Sequence, residues 1–119
     1  MILNLNSFDK IYFYKEYVDM RKQSSGLSVL VEKVMNLGAF DNNLYVFIGK
    51  RKNTVKLLYW DRSGFCLWQK KLEVERFHYK KMEGQNILEL SQRDLLLWLE
   101  GYNIFKMKPH STVSYKYVA

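Results

Sequence analysis

Basic side chains concentrate in one stretch of this 119-residue chain, residues 49–81. The stretch holds ten lysines and arginines against three acids, whereas the remaining residues hold nine bases and nine acids. The whole formal net charge of +7 therefore lies in this one segment. A local excess of this kind builds a positive potential that attracts a polyanion, although the charge alone does not say which one.

Aromatic residues are interleaved with these bases along residues 54–77. Residues 55–60 alternate with the period of two that is typical of a pleated strand, and Trp60 is predicted to lie in the core. Residues 61–64 then supply a turn, in which Gly64 is expected to take the positive φ. We therefore predict a β-hairpin that carries large aromatic side chains and bases together. The alternative is an ordinary sheet core with a solvated outer face.

Ten basic side chains are the candidates for contacts with nucleic-acid phosphates. Most lie on the predicted hairpin or beside it, and two lie next to Asp19, ahead of the first predicted helix. Those two either pin the loop by pairing with Asp19 or meet a phosphate with help from backbone N–H groups at the helix start. The ten candidates are Lys50, Arg51, Lys52, Lys56, Arg62, Lys70, Lys71, Arg76, Arg21 and Lys22.

A catalytic alternative rests on three carboxylates, Asp19, Asp61 and Glu100. Two-metal phosphoryl chemistry needs several carboxylates that converge on paired ions. The turn already explains Asp61, and Glu100 is expected on the solvent side of a helix end, so we predict a protein that is not an enzyme and has no catalytic residues. The two histidines, His78 and His110, match no ligand spacing, and Cys66 is expected to be buried and inert, which favours no metal and no cofactor.

Local patterns place a strand, a helix and a second strand ahead of the hairpin. Residues 11–18 are aromatic and β-branched, as in a strand. Residues 27–35 carry apolar side chains at helical spacing, which predicts a helix with one buried stripe. The stripe consists of Leu27, Leu30, Val31, Val34 and Met35. Residues 44–48 form the next strand, and a basic tip at residues 49–53 leads into the hairpin.

The connections along residues 44–72 are short enough to force a three-stranded antiparallel meander. A further short strand is predicted at residues 76–79. Ser91 and Asp94 form the capping signature of a second helix, because the serine hydroxyl can accept from the backbone N–H three residues on. The buried face of this helix is predicted to consist of Leu95, Trp98 and Leu99.

The whole chain, residues 1–119, is predicted to be a single α+β domain, an antiparallel β-meander sheet of four to five strands with two packed α-helices. Its core spans about residues 10–104, and residues 105–119 form a tail that is loose or adds an edge strand. A hydrophobic share of 48% with 16% aromatic residues excludes a disordered chain. There is no apolar run as long as a membrane span and no recognisable signal peptide, so a soluble, cytoplasmic protein is expected.

Three motifs together resemble those of one bacterial mobile-element family. They are DMRK at residues 19–22, KLLYWD at residues 56–61 followed by Gly64, and LEG at residues 99–101. Similar residues connect them, so the resemblance runs from about residue 10 to 102. The family is the TnpB-type accessory proteins of insertion sequences of group sixty-six, which are encoded beside a separate DDE transposase.

The resemblance implies a role in transposition, with element DNA and the transposase as partners and neither a membrane nor a small-molecule ligand. It brings no biochemical activity and no catalytic residue to this chain. Lys71 stands where the family has arginine, and Glu75 where it has glycine, so both the donor geometry and the charge of the basic face differ here. Two functions stay open: binding of DNA through the basic, aromatic hairpin face, or docking of the transposase without any contact to DNA.

Overall fold

The computed structural model describes residues 3–81, 84, 86–106 and 115–118. His110 and most of the predicted tail, residues 105–119, lie outside this part of the chain. In chain order the elements are a short 3-10 helix Leu5–Ser7, β1 Lys10–Tyr14, α1 Ser24–Lys33, β2 Asn43–Ile48, β3 Thr54–Asp61, β4 Gly64–Lys71, β5 Ile87–Leu90, α2 Gln92–Leu99 and β6 Tyr115–Val118. No helix in the described ranges is long and apolar enough to cross a membrane.

The strands form one mostly antiparallel sheet in the order β4-β3-β2-β1-β5-β6, which confirms the predicted α+β class. β2, β3 and β4 are the predicted antiparallel meander. β1 and β2 are parallel, because the chain crosses back through α1 between them. β5 was not predicted from its sequence, and it pairs antiparallel with both β1 and β6. The tail therefore supplies the edge strand that was one of its two predicted forms.

The two helices cover opposite faces of the sheet. α2 packs on the face that carries Phe13 and Leu57, and its side chains Leu95, Trp98 and Leu99 are all buried, as predicted. α1 packs on the other face, against Tyr45, Phe47 and Leu58. Alternate residues of each central strand enter different cores, so a strand such as β2 is buried along its whole length.

The α2 cap forms as its sequence predicts. The Ser91 hydroxyl accepts a hydrogen bond from the Asp94 backbone N–H at 3.1 Å, and Gly101 takes a φ of 106° just after the helix. In α1 the predicted stripe is only partly buried. Leu27, Val31 and Met35 enter the core, whereas Val34 is 52% exposed because the helix ends at Lys33 and the chain turns away.

Three features of the hairpin region differ from the sequence predictions. In the turn, Arg62 and not Gly64 takes the positive φ, at 52°, because Gly64 already pairs with Asp61 as the first residue of β4. Trp60 lies half-buried at the surface, where it contacts the rings of Phe40 and Phe65 and not the core. Cys66 is also only half-buried.

Residues 72–81, which we name the strap, cross the face that carries α2 and contain no strand. The predicted strand at residues 76–79 is wrong because its backbone groups bond elsewhere. The Phe77 N–H donates to the Lys52 carbonyl at 2.7 Å, and the His78 carbonyl accepts from the Trp98 indole at 2.7 Å. The strap thereby ties the turn between β2 and β3 to α2.

Candidate nucleic-acid interface

Two segments that are distant in sequence meet at one end of the β2–β3 hairpin. After β1, the chain continues in the direction of β2 beside the end of that strand, and the Val18 N–H donates to the Ile48 carbonyl at 2.9 Å. Met20 then covers Gly49 so closely that a Cβ on Gly49 would lie 2.6 Å from the Met20 Cγ. The first strand was predicted over residues 11–18, but it ends at Tyr14. The residues after Tyr14 instead hold the DMRK motif against the basic tip.

A cavity of about 510 Å³ lies between these segments, and we name it the basic groove. Its walls carry four basic side chains and a single acid. The bases are Arg21, Lys50, Arg51 and Lys71, the acid is Asp19, and Val18, Met20, Gly49, Asn53 and Thr54 complete the lining. The four basic side chains are exposed, and they come from three separate segments of the chain. The groove therefore combines a strong positive potential with a concave shape.

Asp19 and Arg21 form an ion pair on one wall of the basic groove. The Arg21 Nη2 lies 2.7 Å from the Asp19 Oδ2, and the Arg21 backbone N–H donates to Asp19 Oδ1 at 2.9 Å. These hydrogen bonds hold the pKa of the Asp19 carboxyl well below its ordinary value. The pair pins the loop, which is one of the two predicted roles. Because the Arg21 side chain is 92% exposed, its outer edge still faces solvent.

Two of the ten candidate bases are engaged inside the protein. Lys56 is 1% exposed, and its ammonium donates to the Lys22 carbonyl at 2.7 Å. The Lys70 ammonium donates at 2.9 Å to the Leu99 carbonyl, one of the C-terminal carbonyls of α2 that have no partner within the helix. The sequence interpretation of these two side chains as surface contacts needs correction, because each stabilises the packing of a helix region.

The remaining four candidates lie outside the groove lining. Lys22 and Arg76 are exposed, and Arg62 is exposed at the opposite end of the β3–β4 hairpin. Lys52 is half-buried, with a φ of 61°, and its ammonium lies 5.6 Å from the centre of the Tyr79 ring. The fold therefore gathers four of the ten candidates at one site and places the other six elsewhere, two of them with their ammonium groups bonded inside the protein.

The three carboxylates of the catalytic alternative do not come together in this fold. Asp19 is held by Arg21, Asp61 ends β3 at the far turn, and Glu100 is exposed after α2. Across the described residues, histidine, cysteine and acidic side chains form no group of three or more that could hold a metal ion.

Comparison with known proteins decides the family. The family described as IS66 Orf2 like protein matches residues 9–109. This range is most of the chain and includes every residue that lines the basic groove. This chain belongs to the IS66 Orf2 like family. Membership confirms the resemblance predicted from the DMRK and KLLYWD motifs and indicates a transposition-associated accessory role.

Two relatives of this IS66 Orf2 like protein come from Sinorhizobium fredii (strain NBRC 101917 / NGR234). The uncharacterized protein y4hO is 30% identical over 92 residues, which cover 77% of this chain and 79% of the relative. The uncharacterized protein y4jC is 29% identical over 91 residues, which cover 76% of this chain and 77% of the relative. No solved structure matches this chain significantly.

Sequence reasoning missed how this IS66 Orf2 like protein assembles the groove. The contact of Met20 with Gly49 leaves no local pattern, because the two residues lie on different elements. Lys15 was missed for the same reason: it is 3% exposed, and its ammonium lies 4.1 and 4.4 Å from the ring centres of Phe105 and Tyr79. Only the folded chain brings these residues together.

Gly49→Ala is expected to lower the free energy of unfolding by about 1–3 kcal/mol, because the new methyl group overpacks the contact with Met20. Urea denaturation measures this loss. Gly64→Ala is the matched control, since nothing lies within 4 Å of a Cβ at that position. Equal stability of the two variants would contradict the close packing of Met20 on Gly49.

Proposed function

We propose that this member of the IS66 Orf2 like family assists transposition as a non-catalytic accessory protein that binds element DNA at the basic groove. The observation that supports this is the convergence of Arg21, Lys50, Arg51 and Lys71 on one concave surface with a single acid. Its expected partners are the DNA of the insertion sequence and a separately encoded DDE transposase, and its expected compartment is the cytoplasm.

Phosphate binding is the chemistry that suits this groove. Lysine and arginine neutralise DNA phosphates and release the condensed counterions, which supplies most of the affinity of a backbone contact. Lys50, Arg51 and Lys71 have no ion-pair partner among the described residues, so their charge is available to a ligand. Arg21 adds a guanidinium edge that is oriented by Asp19. The groove thereby fixes the position of the DNA backbone without reading its sequence.

A triple substitution tests the proposed function. Changing Lys50, Arg51 and Lys71 to alanine, which we name the groove variant, removes three phosphate contacts and leaves the Asp19–Arg21 pair in place. The wild type and the groove variant should bind with similar affinity near about 1 M salt, where phosphate contacts contribute little. At about 0.1 M salt the affinity of the groove variant for duplex DNA should then be roughly 10²–10³-fold lower than that of the wild type. Fluorescence anisotropy with labelled terminal repeats of the element measures this change.

The control removes the same charge elsewhere. Lys33, Arg93 and Lys106 are exposed and line neither wall of the groove, so changing all three to alanine should leave most of the affinity. Equal losses in both triple variants would mean that only the net charge matters. A folded groove variant that binds DNA normally but no longer co-purifies with the transposase would favour the alternative, a subunit that docks the transposase without touching DNA.

A further inference from the structure

A second cavity, also of about 510 Å³, lies at the opposite end of the β3–β4 hairpin from the basic groove. Four half-buried aromatic residues line it, Phe8, Tyr59, Trp60 and Trp68. Phe8 and Tyr59 meet edge to face, with ring centres 5.2 Å apart. The volume lies within the range of about 300–1,000 Å³ that is typical of small-ligand sites. We name this site the aromatic cavity.

Hydrogen-bonding groups stand beside these rings. The Asn42 amide nitrogen donates to the Ser7 carbonyl at 2.7 Å, which fixes the side chain, while its carbonyl oxygen accepts no bond from the described residues. The exposed Asp61 carboxylate also lines the cavity and makes no side-chain hydrogen bond within the described ranges. A planar aromatic ligand with an N–H donor on its edge would satisfy one of these acceptors, which is the chemistry of a nucleobase.

The two cavities share one hairpin. Thr54, at the start of β3, lines the basic groove, and Tyr59–Asp61, at its end, line the aromatic cavity. Strand geometry places these ends roughly 20 Å apart. Arg62 is exposed in the turn directly after Asp61, so a basic side chain stands beside the aromatic cavity as well. A nucleic-acid strand laid along the hairpin would meet phosphate-binding charge at both ends.

We propose that the aromatic cavity takes one unpaired base of a single-stranded nucleic acid whose backbone runs to the basic groove. The proposal rests on the proposed function, since the groove supplies the phosphate contacts. A base inside a duplex is stacked and paired and cannot enter such a cavity, whereas a single strand offers its bases freely to aromatic rings. The site therefore gives the protein a preference for single-stranded DNA or RNA that phosphate contacts alone do not provide.

Three nucleic-acid probes separate the contribution of the bases to binding from that of the backbone. They are an oligothymidylate of about twelve nucleotides, an abasic oligonucleotide of the same length, and a duplex. Stacking of one base on aromatic side chains should make the oligothymidylate bind roughly ten- to hundredfold more tightly than the abasic strand. Trp68→Ala or Tyr59→Leu should reduce that ratio several-fold and leave abasic binding unchanged. Tyr102→Ala, at an exposed ring far along the chain, is the control and should keep the ratio.

Cys66 gives a readout that needs no substitution. It is the single cysteine of the chain, it is half-buried, and it lines the aromatic cavity. Alkylation of Cys66 should slow in the presence of oligothymidylate and continue at the free rate with the abasic strand. This result locates the base in the cavity even if a variant were to fold poorly.

The outcomes distinguish the two proposals. Equal affinity for base-bearing and abasic strands, with unprotected Cys66, would overturn the base site and leave the phosphate groove standing. A groove variant that loses both strands while Cys66 protection persists at high oligothymidylate concentration would support both sites. Cys66 protection by the abasic strand as well would also overturn the inference, because it would show that the backbone and not the base fills the cavity.

Discussion

Trp98→Ala is expected to lower the free energy of unfolding by about 3–5 kcal/mol, the range for a fully buried large aromatic side chain. Trp98 is 0% exposed, and its ring centre lies 4.8 Å from those of Phe13 and Phe77. Its indole N–H also donates to the His78 carbonyl at 2.7 Å, so the substitution leaves that carbonyl without its partner. One side chain thus connects β1, α2 and the strap.

Trp60→Ala is the matched control, because it removes the same side chain from a half-buried surface cluster with Phe40 and Phe65. Its cost should be well below that of Trp98→Ala, contrary to the expectation from sequence that Trp60 is a core residue. Urea denaturation of the two variants gives both values. A larger loss for Trp60→Ala than for Trp98→Ala would contradict the packing described for the face that carries α2.

The free energy of unfolding is expected to rise by roughly 2 kcal/mol between pH 7 and pH 9.5 because of Lys15. Burial, aided by the charge of Lys80, lowers the pKa of the Lys15 ammonium from 10.5 to about 8. Above pH 8 the folded protein releases this proton while the unfolded chain still holds it. The unfolded state therefore binds more protons in this interval, and stability increases as the pH rises. Below pH 8 both states are protonated, and the buried charge destabilises the fold.

Lys15→Met should abolish this rise and increase stability at pH 7, since an apolar side chain of similar length fits between the rings of Tyr79 and Phe105. Burial raises the pKa of the Tyr79 hydroxyl to about 12, so this neighbour stays neutral in the interval. The other tyrosines contribute equally to the pH dependence of wild type and Lys15→Met, so their contributions cancel in the comparison. An identical pH dependence in wild type and Lys15→Met would show that the Lys15 ammonium is not buried.

Much of the fold follows from local sequence patterns. The alternation and turns of residues 44–72 specify the meander, because short connections leave neighbouring strands no other partner. Ser91 and Asp94 specify the start of α2, and the apolar spacing after them specifies its buried face. These signals act over a few residues, which is the range in which backbone hydrogen bonding and side-chain periodicity decide the structure.

The features that failed prediction depend on contacts distant in sequence. β5 is four residues long, and only its place between β1 and β6 makes it a strand. Lys56 looks like an exposed base in a strand pattern, yet the fold aims its ammonium at the Lys22 carbonyl. The groove likewise exists because Met20 meets Gly49, and no spacing rule connects them. The composition predicted a basic surface, but only the topology determines which lysine and arginine side chains lie together in the groove.

The salt dependence of DNA binding tests the central claim most directly. Equilibrium binding of the terminal repeats, measured from low to high salt, gives the slope of log affinity against log salt concentration for wild type, the groove variant and the Lys33, Arg93 and Lys106 control. Three lost phosphate contacts should flatten the slope of the groove variant by roughly 2.7, while the control keeps a slope close to that of wild type. A groove variant whose slope equals that of wild type would contradict the assignment of the groove to DNA phosphates.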